Sequence, residues 1–194
     1  MIDFEGRAMH ISASPGAGKT TLCLGIVSEI ILNGGRAIWA CRNIPDADRF
    51  REILHKIDQS GLGRISILNF SSNLAGEIDM IINRAEDFGR RDIVIVDDWC
   101  EGYGRAMKED ISAAKKLSIL IQSTNVIITS SSYEDASGSA DSGWLARGGD
   151  TIKNSFVTVF LLKHHTSHGF RSISWEGNEK LAKMTSKGLE EIVS

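Results

Sequence analysis

Two patterns of hydrophobic residues alternate along this chain: short unbroken apolar runs and ladders with helical spacing. Residues 8–11 form the first run and predict a short strand. Two ladders spaced by four residues, Leu22-Ile26-Ile30 and Cys23-Val27-Ile31, then predict a helix with a broad buried face. Asn33-Gly34-Gly35 closes this helix, because glycine readily adopts the left-handed backbone at which many helices end.

The alternation continues to the end of the chain. Strands are predicted at residues 36–41, 64–68, 92–99, 125–129, 156–163, 170–175 and 181–184, and helices at 45–57, 73–88 and 108–122. This succession indicates an α/β fold: a mainly parallel sheet flanked by helices, with an antiparallel C-terminal extension of the sheet. Residues 131–149, rich in Ser, Gly, Asp and Ala, predict a mobile functional loop. Because strands resume directly after it, we expect a single domain over residues 1–194.

Composition narrows the class of protein. The chain has 194 residues and a net charge of −3, and no apolar run reaches the ~18 residues that a membrane span requires. Cys23, Cys41 and Cys100 are scattered without a Cys-x-x-Cys spacing, as expected for free thiols in a reducing compartment. We therefore expect a cytoplasmic protein without membrane contact. The negative charge also argues against a dedicated nucleic-acid coat.

The most informative motif is a glycine-rich turn at residues 12–21, between the first strand and the first helix. In this context such a turn directs its backbone N–H groups, here those of residues 14–19, at phosphate oxygens. We predict that it binds ATP or GTP through Ser14, Pro15, Gly16, Ala17, Gly18, Lys19, Thr20 and Thr21. Lys19 would reach the β and γ phosphates, and the Thr20 hydroxyl would ligate Mg²⁺.

An acidic pair supplies the second half of this site. The run Ile93-Val94-Ile95-Val96 lacks alternation and predicts a strand that is covered on both faces. Asp97 and Asp98 follow at its carboxyl end, where parallel sheets bind ligands. We predict that Asp97 supports the Mg²⁺ beside Thr20. The alternative is that the two aspartates cap the next segment.

The order of these motifs resembles the RecA-type ATPase core, and within it the archaeal recombinase relatives RadA and RadB. The residues that carry the resemblance are the phosphate loop, Asp48-Arg49-Phe50, the 93–97 strand, Ile127-Ile128-Thr129, Gly148-Gly149, Lys163, Arg171 and Thr185-Ser186-Lys187-Gly188-Leu189. The resemblance covers nearly the whole chain. It implies an ATP-binding core of the machinery of homologous recombination or DNA repair, with ATP and Mg²⁺ as cofactors.

Departures from this family bear on catalysis. The family's water-activating glutamate corresponds to Arg42, which cannot accept a proton, and its γ-phosphate-sensing Thr-Asn-Gln corresponds to Thr129-Ser130-Ser131. We therefore expect weak or absent ATP hydrolysis. Asp98 follows Asp97 directly, as the water-activating carboxylate does in related P-loop ATPases, and is the candidate catalytic residue. Its alternative role is a helix cap or an ion pair with Arg42.

The family's DNA-contacting loop corresponds to residues 131–147. This stretch contains three acids and one cation: Glu134, Asp135, Asp141 and Arg147. Such a loop should repel phosphate, so we expect weak or indirect contact with DNA. Trp144 in the same loop is a candidate for stacking on a base or docking on a partner.

Two basic residues of the C-terminal strands have two interpretations. Lys163 and Arg171 match family positions near a nucleotide that is bound by an adjoining subunit, where a cation would neutralise developing phosphate charge. The alternative is a solvated charge that discourages pairing at the edge of the sheet.

Two functional hypotheses follow. The first is a RadB-like accessory protein that binds ATP, hydrolyses it slowly or not at all, and acts through a protein partner such as a recombinase, with self-association also open. The alternative is a KaiC-like regulatory ATPase or signalling module that does not act on DNA, or a small P-loop kinase. A kinase needs a lid with arginines, and the candidate loop holds Arg147 alone.

Overall fold

A computed structural model describes residues 7–70, 73–138 and 143–192 of the chain. Its strands are β1 (Met9–Ala13), β2 (Ala37–Cys41), β3 (Ile65–Asn69), β4 (Ile93–Asp97), β5 (Asn125–Ser131), β6 (Tyr133–Glu134), β7 (Trp144–Leu145), β8 (Val157–Lys163), β9 (Phe170–Trp175), β10 (Asn178–Thr185) and β11 (Gly188–Glu191). Its α-helices are α1 (Lys19–Leu32), α2 (Ala47–Ile53), α3 (Gln59–Leu62), α4 (Leu74–Arg84), α5 (Lys108–Lys116) and α6 (Gly149–Lys153). A 3₁₀ helix, Leu117–Gln122, follows α5 directly.

One sheet of nine strands has the order β11-β10-β9-β8-β1-β5-β4-β2-β3. Strands β1 to β5 and β8 run parallel, and β9, β10 and β11 extend the sheet antiparallel from β8. This topology confirms the predicted α/β fold with its antiparallel C-terminal extension. Strand β1 lies between β5 and β8, with Ala13 opposite Ser131 on one side and Leu161 on the other. The turn after β1 is therefore flanked by the ends of both neighbours.

Two apolar layers cover the sheet. Along β4, Ile93 and Ile95 pack into the layer around α1, whereas Val94 and Val96 pack into the layer formed with α4 and α5. Burial on both faces therefore explains the unbroken β-branched run of this strand, as predicted. The three cysteines are free and buried, and burial raises the pKa of each thiol. Within the described ranges, no helix is long and apolar enough to cross a membrane.

Some elements differ from their predicted bounds. The helix predicted at 73–88 ends at Arg84, and the one predicted at 108–122 divides into α5 and the 3₁₀ helix. The loop predicted at 131–149 contains the hairpin β6–β7 and the first residue of α6. The hairpin strands and α6 have two to five residues each, too few to produce a periodic pattern in the sequence. Asp141 of this loop lies outside the described residues.

Candidate nucleotide-binding site

The turn between β1 and α1, residues 14–18, is the centre of the site. Gly16 has φ +70° and Gly18 has φ +104°, in the left-handed region that favours glycine. The terminal methyl group of Met184 lies beside Gly18, and the backbone conformation is what requires glycine at this position. Pro15 and Gly16 are exposed at the tip of the turn. Within the described residues no side chain caps α1, so its first N–H groups are available to a ligand.

Strand β8 fixes the conformation of this phosphate loop. The Ser14 N–H donates to the Leu161 carbonyl at 3.1 Å, and the Ala17 N–H donates to the Ser14 carbonyl at 3.0 Å. These two N–H groups therefore do not serve phosphate oxygens, in contrast to the prediction for the whole 14–19 stretch. The N–H groups of Gly16, Gly18 and Lys19 make no hydrogen bond to any other described backbone group, and they remain for an anion.

The predicted Mg²⁺ residues lie together at the carboxyl end of β4. The Thr20 hydroxyl is 3.3 Å from Asp97 Oδ2, and the Thr129 hydroxyl donates to Asp97 Oδ1 at 2.7 Å. Asp97 is buried, and this burial raises the pKa of its carboxyl, against the opposing effect of the Thr129 hydrogen bond. A hydroxyl and a carboxylate at this separation suit Mg²⁺, which prefers oxygen ligands.

Asp98 forms an ion pair with the phosphate-loop lysine. Lys19 Nζ lies 2.8 Å from Asp98 Oδ1, and both side chains are partly exposed. Asp98 has φ +55°, a left-handed conformation that is uncommon outside glycine and is tolerated by aspartate and asparagine. Its N–H donates to the Thr129 hydroxyl at 3.0 Å, which holds the strained residue in place. The predicted catalytic carboxylate therefore faces the phosphate loop.

Arg42 follows β2 and stands at the position where the resemblance implies a glutamate. Its guanidinium lies 3.0 Å from Glu101 Oε1 and 3.9 Å from Asp110 Oδ2. It reaches Asp98 only at the backbone carbonyl, at 3.4 Å, so the alternative of an Arg42–Asp98 ion pair is wrong. Asp110 is buried and accepts from the N–H of Leu74 at 2.9 Å, at the start of α4. Arg42 thus connects the loop after β4 to the helix layer.

A buried histidine behind the site escaped the sequence prediction. His10 Nε2 is 2.8 Å from Ser130 Oγ and accepts from the Trp99 indole N–H at 3.3 Å. Burial lowers the pKa of His10 to about 3, so its ring is neutral. Ser130 directly follows Thr129, which bonds Asp97. The signal in the sequence was a single polar side chain within the first apolar run.

The two basic residues of the C-terminal strands lie against the phosphate loop of their own chain. Arg171 is 7% exposed, and its Nε donates to the Ala17 carbonyl at 2.7 Å. Lys163, opposite Arg171 in the β8–β9 ladder, places its ammonium beside Gly16. The interpretation of Arg171 as a solvated edge charge is therefore wrong. Both contacts join residues more than 140 positions apart, and only the pairing of β1 with β8 makes them possible.

Arg147 has a structural role that the sequence did not predict. It is 6% exposed and donates to the carbonyls of Gly102, Gly104 and Ser131, at 2.6 Å for Gly102 and 2.9 Å for Ser131. The guanidinium also lies 5.5 Å from the centre of the Tyr133 ring. Arg147 therefore ties the hairpin β6–β7 to the loop after β4, and it is not displayed for contact with DNA.

Two further side chains border the site. The Thr21 hydroxyl, included in the predicted nucleotide site, lies 3.2 Å from Arg49 Nε. Arg49 also donates to the Thr185 carbonyl at 3.1 Å, so it joins α2 to the C-terminal strands beside α1. Trp144 lines an open groove of about 860 Å³ with Phe160 of β8 and Trp175 of β9. Phe160 alternates with Val159 and Leu161, which pack in the layer around α1, so it lies on the other face of the sheet. The structure thus separates Trp144 from the phosphate loop.

The fold that carries this candidate site is a RecA-like α/β fold. Neither a protein-family model nor a curated protein sequence matches this chain. The fold is similar to the crystal structure of the RadB recombinase, with a TM-score of 0.75 and 16% identity over 97% of this chain and 92% of that one. It is also similar to the structure of a DnaB-like replicative helicase, which was described together with its interactions with primase. The TM-score of that match is 0.70 and the identity is 12%. That match covers 97% of this chain and 59% of the helicase.

Proposed function

We propose that this chain is an ATP-binding, RadB-like accessory protein of homologous recombination or DNA repair, with weak or absent ATP hydrolysis. The observation that carries the proposal is the meeting of Thr20 and Asp97, 3.3 Å apart, beside a glycine turn with free N–H groups. In this proposal the phosphate loop and Lys19 hold the nucleotide, and Thr20 and Asp97 hold Mg²⁺. The bound Mg²⁺ neutralises charge on the outer phosphates.

Slow hydrolysis follows from the charges around the site. Arg42 occupies the position of the family's base, and it engages the carboxylate of Glu101. Asp98 remains the candidate base, but its carboxylate forms an ion pair with Lys19. While the Asp98 carboxylate is paired with the Lys19 ammonium, it is not free to orient and activate a water molecule. ATP binding therefore serves regulation more than turnover in this proposal.

Weak or indirect contact with DNA follows from the hairpin loop. The Arg147 guanidinium donates to three backbone carbonyls and is therefore not available to a DNA phosphate. Glu134 and Asp135 of the same loop are acidic. Each phosphate that a cation neutralises steepens the logarithmic salt dependence of duplex binding by about 0.9. In the proposal the chain contacts DNA indirectly, through a protein partner. We expect this partner to be a recombinase. The groove with Trp144, Phe160 and Trp175 is the candidate surface for it.

The alternative function is a KaiC-like regulatory module that does not act on DNA. The burial of Arg147 favours it, because the described part of the hairpin loop then offers no exposed cation. The two functions differ in their response to a recombinase. Only the accessory protein should alter strand exchange by a partner recombinase in an ATP-dependent manner.

Single-turnover hydrolysis of ATP, with and without single-stranded DNA, tests the proposal. We expect slow release of phosphate that DNA does not accelerate, and a shallow salt dependence of any DNA binding. We also expect Mg-ATP at about a hundred times its dissociation constant to stabilise the protein by ~2.7 kcal/mol. Rapid, DNA-stimulated turnover would contradict the accessory role, and an unmoved melting temperature in Mg-ATP would contradict nucleotide binding itself.

A further inference from the structure

Lys163 brings a second ammonium group to the phosphate loop from outside the loop motif. It is the last residue of β8, the strand that pairs with β1 on the side away from β5 and β4. A Cβ placed on Gly16 would lie 3.1 Å from Lys163 Nζ, so the amine reaches the tip of the loop. Its backbone N–H also donates to Ser14 Oγ, at 3.2 Å.

The surroundings of the two lysines differ. Lys19 is paired with Asp98 at 2.8 Å. Lys163 is exposed, and among the described residues no acidic side chain forms an ion pair with it. All the carboxylates of the site belong to β4 and the loop after it, on the far side of β1. The charge of Lys163 is therefore available to an anion at the exposed face of the loop.

The position of Lys163 is fixed by its neighbour in the hairpin. Arg171 lies opposite Lys163 in the β8–β9 ladder, and it donates from Nε to the Ala17 carbonyl at 2.7 Å. The Ser14 N–H donates in turn to the Leu161 carbonyl, at 3.1 Å. Two hydrogen bonds from β8, including that of the Lys163 N–H, and one from β9 thus hold the end of the β8–β9 hairpin against the loop. The Lys163 side chain therefore starts from a fixed strand.

We propose that Lys163 donates a charge-assisted hydrogen bond to the terminal phosphate of the nucleotide held by its own chain. This proposal rests on the proposed nucleotide binding. Lys19 stands at the start of α1, whereas the Lys163 ammonium lies at the tip of the loop, beside Gly16. The two cations therefore approach a bound triphosphate from different sides, and Lys163 is the one that a nucleoside diphosphate does not engage. Lys163 acts in cis, in contrast to the cation from an adjoining subunit that the family resemblance implies.

The test compares ATP with ADP in calorimetric titrations of the intact protein. Lys163→Ala should weaken ATP binding about tenfold and ADP binding less than about twofold, because a hydrogen bond to a charged group is lost only with the triphosphate. Lys163→Arg keeps the charge and should retain most of the affinity. Lys116→Ala is the matched control: this exposed lysine pairs with Asp79 on the helix layer and should leave both affinities unchanged.

The outcomes separate this proposal from the nucleotide site itself. If wild-type protein binds both nucleotides and Lys163→Ala binds them equally well, or loses both to the same degree, the role of Lys163 is contradicted while the nucleotide site stands. If wild-type protein binds neither nucleotide, the proposed function fails and this assignment fails with it. Unfolding of the nucleotide-free variants in urea shows whether Lys163→Ala has changed the fold, which the proposal predicts it has not.

A mixing experiment distinguishes action in cis from action across a subunit boundary. Lys19→Ala lacks the loop lysine, and Lys163→Ala lacks the strand lysine. If Lys163 served a neighbouring subunit, a mixture of the two variants would contain complete sites and would regain tight ATP binding. We expect no recovery in the mixture, at any ratio of the two variants. Recovery to the wild-type affinity would overturn the assignment in cis.

Discussion

The phosphate loop has two flanks of opposite charge. On one side, β4 ends at Asp97 and is followed by Asp98; these two residues face Thr20 and Lys19. We call this the acidic flank. On the other side, the β8–β9 hairpin presents Lys163 and Arg171, which we call the basic flank.

The comparison shows that the residues proposed for ligand chemistry and the residue that supports the loop come from different strands of the sheet. The acidic flank contains the proposed Mg²⁺ ligands and the candidate base, and in the proposal these residues change partners when the nucleotide binds. In the basic flank, Arg171 is buried and supports the backbone of the loop, whereas Lys163 is exposed beside the tip of the loop. Two cations at directly paired positions thus have different roles, because one is buried among carbonyls and the other is not.

The largest expected effect concerns the buried cation of the basic flank. Arg171→Met removes donors from the carbonyls of Ala17, His168 and Phe170, which accept at 2.7 to 2.8 Å. Buried acceptors left unpaired are costly, so the free energy of unfolding should fall by about 3 kcal/mol. Lys163→Met, at the paired exposed position, should change it by less than ~0.5 kcal/mol. Urea titrations without nucleotide measure the free energy of unfolding of both variants. Equal losses of stability would contradict the assignment of a structural role to Arg171 and not to Lys163.

A smaller effect should arise at His10, on the strand between the two flanks. The pKa of His10 is lowered by burial to about 3, whereas the unfolded chain has the ordinary value of 6.5. Below pH 6.5 the histidine binds a proton in the unfolded state but not in the native state. The free energy of unfolding therefore decreases as the pH is lowered, until the native pKa is reached. Between pH 6.5 and 5 this amounts to ~2 kcal/mol.

Urea unfolding between pH 7 and 4.5 measures this dependence. His10→Gln should flatten the acid side of the profile, because the titrating group is gone. His55→Gln removes an exposed histidine and is the control; its profile should keep the wild-type slope. A His10→Gln profile as steep as the wild-type one would show that another group causes the loss.

The smallest effect tests the acidic flank directly. Asp98 pairs with Lys19 at 2.8 Å, and in the proposed mode of binding ATP displaces this partly exposed ion pair. Asp98→Asn should therefore tighten ATP binding about two- to fivefold, the scale of a surface ion pair. It should also lower the rate of single-turnover hydrolysis, because the candidate base is lost. Weaker ATP binding together with an unchanged hydrolysis rate would contradict both roles of Asp98.

The acidic flank could be predicted from the sequence because each of its parts is a local pattern. The Gly-Lys-Thr turn and the apolar run that ends in Asp97 each occupy about ten neighbouring residues. The parallel α/β fold then brings strand ends together at one edge of the sheet. The same reasoning predicted the antiparallel extension through β9 and residues 181–184 of β10, but it missed β11, which has only four residues.

The basic flank could not be predicted in the same way. The side chains of Lys163 and Arg171 touch the loop only because β8 pairs with β1, a contact that no local pattern encodes. Arg147 was assigned to a DNA-facing loop for a related reason, since its burial depends on carbonyls of a loop more than 40 residues away. Burial of a lone cation among backbone carbonyls has no signature in composition or spacing.

The central claim is that a Mg²⁺-nucleotide binds at the phosphate loop between these flanks. Calorimetric titration of Mg-ATP into wild-type protein and Lys19→Ala tests it most directly, with unfolding in urea to confirm that the variant is folded. We expect saturable one-to-one binding by the wild type. The affinity for Mg-ATP should fall about a hundredfold or more in Lys19→Ala, because the Lys19 amine is the cation that the phosphate loop itself contributes. Equal affinity of the two proteins for Mg-ATP would contradict the site.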